Sequence, residues 1–216
     1  MKAFTLVVCD VQPDGIKKIQ HSPQFVDLVD LAIRAARNSR TTATVDIVHT
    51  MIRFPDSCYD CIPLSHPKLG ILRKLQMKNS QINWFNSSEL CIPALLENDP
   101  KESVVSRTTF LPHATDTALL EALQDQNEKS LEDREFVVIG YGPTVQAVCH
   151  LLGDVIGAPN VRILKECVRD EKTERCQAFL NHGLIFREEV SSLVDFIECK
   201  CLDQPTVSCN IQILVY

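Results

Sequence analysis

The sequence predicts a three-layer αβα fold with helices on both faces of a doubly wound, mainly parallel sheet of about six strands. Three observations point there. Short β-prone runs alternate with apolar stripes at helical spacing, no linker-like stretch interrupts the 216 residues, and the strand-like runs stop abruptly on Asp or Gly.

Phe4 to Cys9 is a β-prone run closed by Asp10, the pattern of a buried parallel strand. Phe25, Leu28, Val29, Ala32, Ile33 and Ala36 recur at helical spacing, so one face of that helix packs on the sheet. Val45–Val48 reads as a second strand and Val104-Val105 as a short third. Between them, residues 54–100 form a long excursion rich in Pro, Ser and Asn. Such insertions are usually functional or oligomeric surface. Leu119, Leu120 and Leu123 mark a helix, and Asp125–Arg134 reads as a solvated, charged turn. Phe136–Ile139 is a strand ended by Gly140. Val145, Val148, Cys149, Leu152 and Ile156 give the next helix, closed by Gly157 and Pro159. Val161–Leu164 is a strand; Cys176, Phe179 and Leu180 form a helical stripe capped by Gly183, and Leu184–Phe186 follows as a strand. Leu193, Val194 and Ile197 suggest a last short helix. One domain is expected over 1–202, with a C-terminal strand extension over 203–216. In that extension Val207, Cys209, Ile211, Ile213 and Val215 alternate with Ser208, Asn210 and Gln212, a period-2 strand with one apolar face. A lone strand must pair with a sheet edge, either as an antiparallel edge strand of its own sheet or across a two-fold with a second copy; a homo-oligomer with this segment at or near its interface is expected.

Composition narrows the partners. A formal charge of −6 without a basic cluster argues against nucleic acid or an anionic membrane. No apolar run approaches the roughly 20 residues of a membrane span. The start MKAFTLVVCD is too short for an export signal and lacks a cleavage site, so the cytoplasm is the expected location. The ten cysteines then read as free thiols in a reducing compartment. Cys58 and Cys61 have zinc-like spacing with His66 nearby, but Cys199 and Cys201 are one residue too close to complete a site.

Ligands of such sheets bind outside the carboxyl ends of the strands. Three places qualify: Asp10, Ser106-Arg107, and the stretch Gly140–Thr144. No glycine-rich turn follows the first strand, which disfavours a dinucleotide, and no cofactor is expected. His49 stands alone after the second strand, without the companion ligand a metal would need.

Four stretches in this order carry a resemblance: TLVVCDVQ, SVVSRTTFLPHATDTALLEAL, EFVVIGYGPTVQAVCHLL and VRILKECVRDEKTERCQAFLNHGLIF. Together, over about residues 3–198, they resemble the isochorismatase-like hydrolase (cysteine hydrolase) superfamily, closest to its divergent eukaryotic members. The resemblance implies an Asp general base at Asp10, with Gln12 two residues on. It implies a lysine where this chain has Arg107, and a nucleophilic Cys at the start of the helix after Gly140. It also implies an oxyanion loop over Gly142, Pro143 and Thr144 containing a cis peptide, here expected at Gly142–Pro143. The family's Cys position falls on Gln146, or on Ala147. Cys149 lies two to three residues further, its thiol some ~4.5 Å deeper along the axis, and continues the apolar stripe of Val145 and Leu152. Arg107 keeps the positive charge but cannot trade protons as an ammonium can. A metal-dependent branch of the family needs acid and His ligands after strand two, which this chain lacks, so no metal is expected.

Two functions stay open. One is a hydrolase-family protein acting on or binding a small metabolite in a cleft with Asp10 and Arg107, its cysteine nucleophile displaced to Cys149 or lost. The other is a non-catalytic descendant that binds a metabolite or a protein through the same cleft.

Overall fold

The computed structural model describes residues 3–17, 19, 21–41, 44–52, 89–95, 99–107, 117–124, 134–155, 157, 160–169 and 188–201. Its strands are β1 (Ala3–Cys9), β2 (Thr44–Ile52), β3 (Glu102–Arg107), β4 (Glu135–Tyr141), β5 (Val161–Arg169) and β6 (Glu188–Ser191). Its helices are α1 (Pro13–Ile16), α2 (Ser22–Asn38), α3 (Thr117–Leu123), α4 (Gly142–His150) and α5 (Leu193–Cys201). The sheet order is β3-β2-β1-β4-β5-β6, and every neighbouring pair is parallel. Strand order reverses between β1 and β4, which makes their carboxyl ends the switch point of a doubly wound sheet.

Side chains alternate along β1 and so divide the core in two. Phe4, Leu6 and Val8 join Phe25, Val29, Ala32, Ile33 and Ala36 of α2, with Leu193 and Phe196 of α5. Val7 and Cys9 join the other layer, with Leu119 and Leu123 of α3, Val145 and Val148 of α4, and Leu152 in the turn of π-helix that follows α4. The two clusters, one on each face of the sheet, lie between the three layers that the alternation of strands and helices implies.

Several strands outrun their apolar patterns. β2 continues four residues past Val48, because His49 and Thr50 are buried with partnered side chains. β5 continues to Arg169. β4 passes through Gly140, which lies inside the strand and does not end it. Its φ is +116°, and a Cβ there would sit 2.2 Å from the Cys9 carbonyl oxygen, so only glycine lets β4 lie against β1 at this point.

Two expectations fail for identifiable reasons. Arg134 is not in a solvated turn. It is buried, and its Nη1 donates to Thr5 Oγ1 at 2.8 Å and to Asp46 Oδ2 at 2.6 Å, tying the starts of β1, β2 and β4. The Gly142–Pro143 peptide is trans, since the described residues contain no cis bond. Gly142, Pro143 and Thr144 are not a loop but the first turn of α4, where proline's fixed φ already suits the helix. The stripe over Cys176–Leu180, the Gly183 cap, the strand at 184–186, the Cys58, Cys61 and His66 group, and the 203–216 extension lie outside the described residues.

A second buried network fastens α2 to the outer strands. Glu102 accepts from Arg37 Nη2 at 2.7 Å and Nε at 3.2 Å, and pairs with His49 Nε2 at 2.8 Å. Arg37 also donates to the Pro93 carbonyl at 3.0 Å, and Arg40 pairs with Asp99. His49 is thus one member of a structural pair. Burial pushes the Glu102 carboxyl up, but hydrogen bonds from His49 and Arg37, with their charge, outweigh it and bring it down to about 2.

Two outcomes follow for stability. Gly140→Ala should destabilise the protein by about 2 kcal/mol or more, measured by urea unfolding, because it combines backbone strain with a backbone overlap. Glu102 is depressed on folding, so its contribution is present above its ordinary value of 4.5 and is lost as pH falls toward about 2. Unfolding midpoints should drop across that window, and Glu102→Gln should flatten that part of the profile.

Candidate functional site

The site is assembled at the carboxyl edge, where β1 gives way to Asp10. Asp10 has φ +49°, a left-handed conformation that Asp tolerates better than most residues. Its N–H still donates to the Thr50 carbonyl at 3.1 Å, and its own carbonyl accepts from Gln12 N–H at 2.8 Å. The backbone therefore turns sharply while staying fastened to β2.

The Asp10 side chain has no exposed surface, and four donors meet its two oxygens. Arg107 Nη1 donates to Oδ1 at 2.7 Å, and Arg107 Nη2 makes a short contact with Oδ2. Thr50 Oγ1 donates to Oδ1 at 2.8 Å, and Thr144 Oγ1 donates to Oδ2. Arg107 Nη2 also reaches Thr144 Oγ1 at 3.4 Å. This two-pronged guanidinium–carboxylate pair is the strong geometry for such ions. It joins β1, β2, β3 and α4 in one buried cluster, in which Arg107 is 5% exposed and Thr50 and Thr144 are fully covered.

Gln12 does a different job. Its side-chain oxygen accepts from Ile52 N–H at 2.8 Å, and its amide nitrogen donates to the Ile52 carbonyl at 3.0 Å. A buried side chain thus replaces a missing strand partner at the end of β2. Next to it, the Val11 carbonyl accepts from Cys91 N–H at 2.9 Å.

The structure unites Asp10, Arg107 and Thr144, and adds Thr50, which the sequence reading did not single out. The one signal for Thr50 is register: it sits opposite Cys9, so its side chain lies beside the turn into Asp10. Gln146 is half-buried on α4, and Cys149 is buried with Val145, Val148 and Leu152 in the apolar layer. Neither is a hydrogen-bond partner of Asp10.

Among the described residues, the other thiols are no better placed for nucleophilic work, which requires thiolate. Burial, then the charge of Asp10, pushes the Cys9 thiol well up, against smaller opposing effects of Arg107 and Thr50. Burial raises Cys91 to about 11 and drives Cys167 up as well. Among the described residues, no cluster of three or more His, Cys, Asp or Glu could hold a metal ion. No described helix is long and apolar enough to cross a membrane.

No family model matches the chain, and no curated protein matches it in sequence. Solved structures do match. An isochorismatase family protein from Desulfovibrio vulgaris superposes with a TM-score of 0.61 at 13% identity, covering 92% of this chain and 98% of that one. A pyrazinamidase of Pyrococcus horikoshii in complex with zinc gives 0.53 at 16% identity, covering 87% and 98%. A MAR1 ribonuclease from Caenorhabditis elegans gives 0.52 at 13% identity, covering 91% and 80%. At such identities the likeness is one of fold, and the fold is isochorismatase-like.

Removing one member of a buried ion pair strands the other without a counter-charge, at a cost of about 3–5 kcal/mol. Asp10→Ala and Arg107→Ala should each destabilise by about that much in urea unfolding. Their effects should be strongly non-additive, since the double variant leaves no buried charge unpaired.

Proposed function

We propose that this chain is a non-catalytic descendant of the isochorismatase-like hydrolases, a module that binds a small molecule at the carboxyl edge of its sheet. The observation that carries this reading is the saturation of Asp10. A general base needs a free lone pair facing the proton it takes, within about 2.6–3.2 Å. Both carboxylate oxygens are instead occupied by two guanidinium N–H groups and two threonine hydroxyls. No thiol is among these partners, and Cys149 belongs to the apolar layer.

The same geometry disfavours acid-assisted hydrolysis without a cysteine. Both Asp10 oxygens are engaged by Arg107, Thr50 and Thr144, so neither is left to approach a leaving oxygen. Arginine in place of lysine fits this change of use. Its rigid fork clamps the carboxylate and is a poor proton carrier. Asp10 and Arg107 then serve the fold, while the switch point between β1 and β4, where such sheets bind ligands, retains its position. The nematode structure is described as a ribonuclease, but RNA cleavage finds little support here. The chain carries a net charge of −6, and its buried arginines are engaged by Asp10 and Asp46.

Turnover and thiol chemistry test the reading together. Small amides and vinyl ethers should be hydrolysed no faster by the native chain than by Asp10→Asn. Iodoacetamide should alkylate Cys149 only as fast as the protein unfolds. Turnover abolished by Asp10→Asn, or rapid labelling of Cys149 that titrates below the ordinary thiol range, would sink it. A small-molecule screen read by amide chemical shifts should place binders at residues 142–146; binders found only elsewhere would remove the site.

A further inference from the structure

Three consecutive residues after β1 each hold a different part of the chain. Asp10 takes the hydroxyls of Thr50 and Thr144 and the guanidinium of Arg107. The Val11 carbonyl accepts from the Cys91 N–H at 2.9 Å. The Gln12 side chain accepts from the Ile52 N–H at 2.8 Å and donates to the Ile52 carbonyl at 3.0 Å. Residues 53–90 connect Ile52 to Cys91, so the chain departs from β2 and comes back at neighbouring points of one turn. Ile92, next to Cys91, is buried in the same apolar layer as Val11 and Tyr141. Asp10, Val11 and Gln12 are themselves buried, so a bond broken here leaves a polar group with no water to replace its partner.

The direction of this turn depends on one backbone angle. Asp10 is left-handed, with φ +49°, and such a conformation persists where surrounding contacts hold it. Rotation about that angle swings everything after it, and consecutive Cα atoms are about 3.8 Å apart. Hydrogen bonds of this kind keep to about 2.7–3.2 Å. A modest swing at Asp10 therefore parts Val11 from Cys91 and Gln12 from Ile52 together. Thr144 stands at the other end of the linkage. It lies in the first turn of α4, within the stretch assigned above to the ligand, and its hydroxyl donates to Asp10 Oδ2.

We propose that the Asp10–Gln12 turn is a switch that couples the ligand edge to both ends of residues 53–90. The inference rests on the binding reading above and adds the regulation of that site. A ligand that draws the Thr144 hydroxyl off Asp10 loosens the left-handed turn, and Cys91 and Ile52 lose their partners as one unit. The coupling is reciprocal, so a contact that holds Cys91 and Ile52 in place favours the paired state of Asp10 and Thr144.

Amide hydrogen exchange in the full-length chain, followed by NMR, tests this without any ligand. Its failure is therefore distinct from a failure to find binders at 142–146. Thr144→Val removes the hydroxyl and keeps the branched side chain. The Ile52 and Cys91 amides should then exchange at least about fivefold faster relative to those of Phe136 and Ile47, which bond to Asn160 and Lys101 away from the turn. Thr144→Ser keeps the hydroxyl and should leave these ratios at their native values. In the native chain, the Asp10, Ile52 and Cys91 amides should open with one shared urea dependence, distinct from that of Phe136. That measurement decides the matter alone should Thr144→Val fail to fold. Equal acceleration at all four amides overturns the proposal, as does acceleration by Thr144→Ser. Separate urea dependences for Ile52 and Cys91 overturn it too, because the turn would then not move as a unit.

Discussion

Burying a carboxylate without a counter-charge costs several kcal/mol, and much of the carboxyl edge of this sheet is arranged around that constraint at Asp10. The residue lies at the end of β1, in the middle of the sheet, where helices cover both faces and water cannot solvate it. Its charge must be met from within the protein. Arg107 reaches it from two strands away, and Thr50 and Thr144 supply the remaining donors from β2 and α4. The left-handed turn at Asp10 is of the kind that costs on the order of 1–3 kcal/mol and persists only where surrounding contacts over-determine it. Four hydrogen bonds to one side chain provide that.

The same logic recurs at two other places. Arg134 at the amino edge is held by Thr5 and Asp46, and Glu102 beneath α2 by Arg37 and His49. Each buried charge bridges elements distant in sequence, so the sheet is pinned at its carboxyl edge, its amino edge and its outer strands. Apolar packing supplies the bulk of the driving force, but it is tolerant of small slips. Charge pairs with fixed geometry are not, and they specify which strand ends must meet.

This also separates fold from chemistry. Cysteine hydrolysis asks for an acid–base group that stays available, a thiol near it, and a cation that tunes both. Here the acid and the cation satisfy each other, and Cys149 faces the apolar layer. The two-pronged pairing of Asp10 with Arg107 ties four elements of the sheet's carboxyl edge together.

Much of this could be read from the amino-acid order. Periods of two and 3.6 residues marked β1, α2, β4 and α5 because side-chain direction repeats locally, and the abrupt polar ends of β1 and β3 placed Asp10 and Arg107 at one sheet edge. The order also showed that no cysteine stands at the first turn of the helix after Gly140. Other features were decided only by the folded chain. The extension of β2 through His49 and Thr50 depends on Glu102 and Asp10, residues 53 and 40 positions away. The burial of Arg134 depends on Thr5 and Asp46, and the need for Gly140 depends on the Cys9 backbone across the strand pair. Polarity and periodicity are properties of a short window of sequence. Whether a charged residue points to water or to a partner is set by strand order and register, which exist only once the sheet has formed.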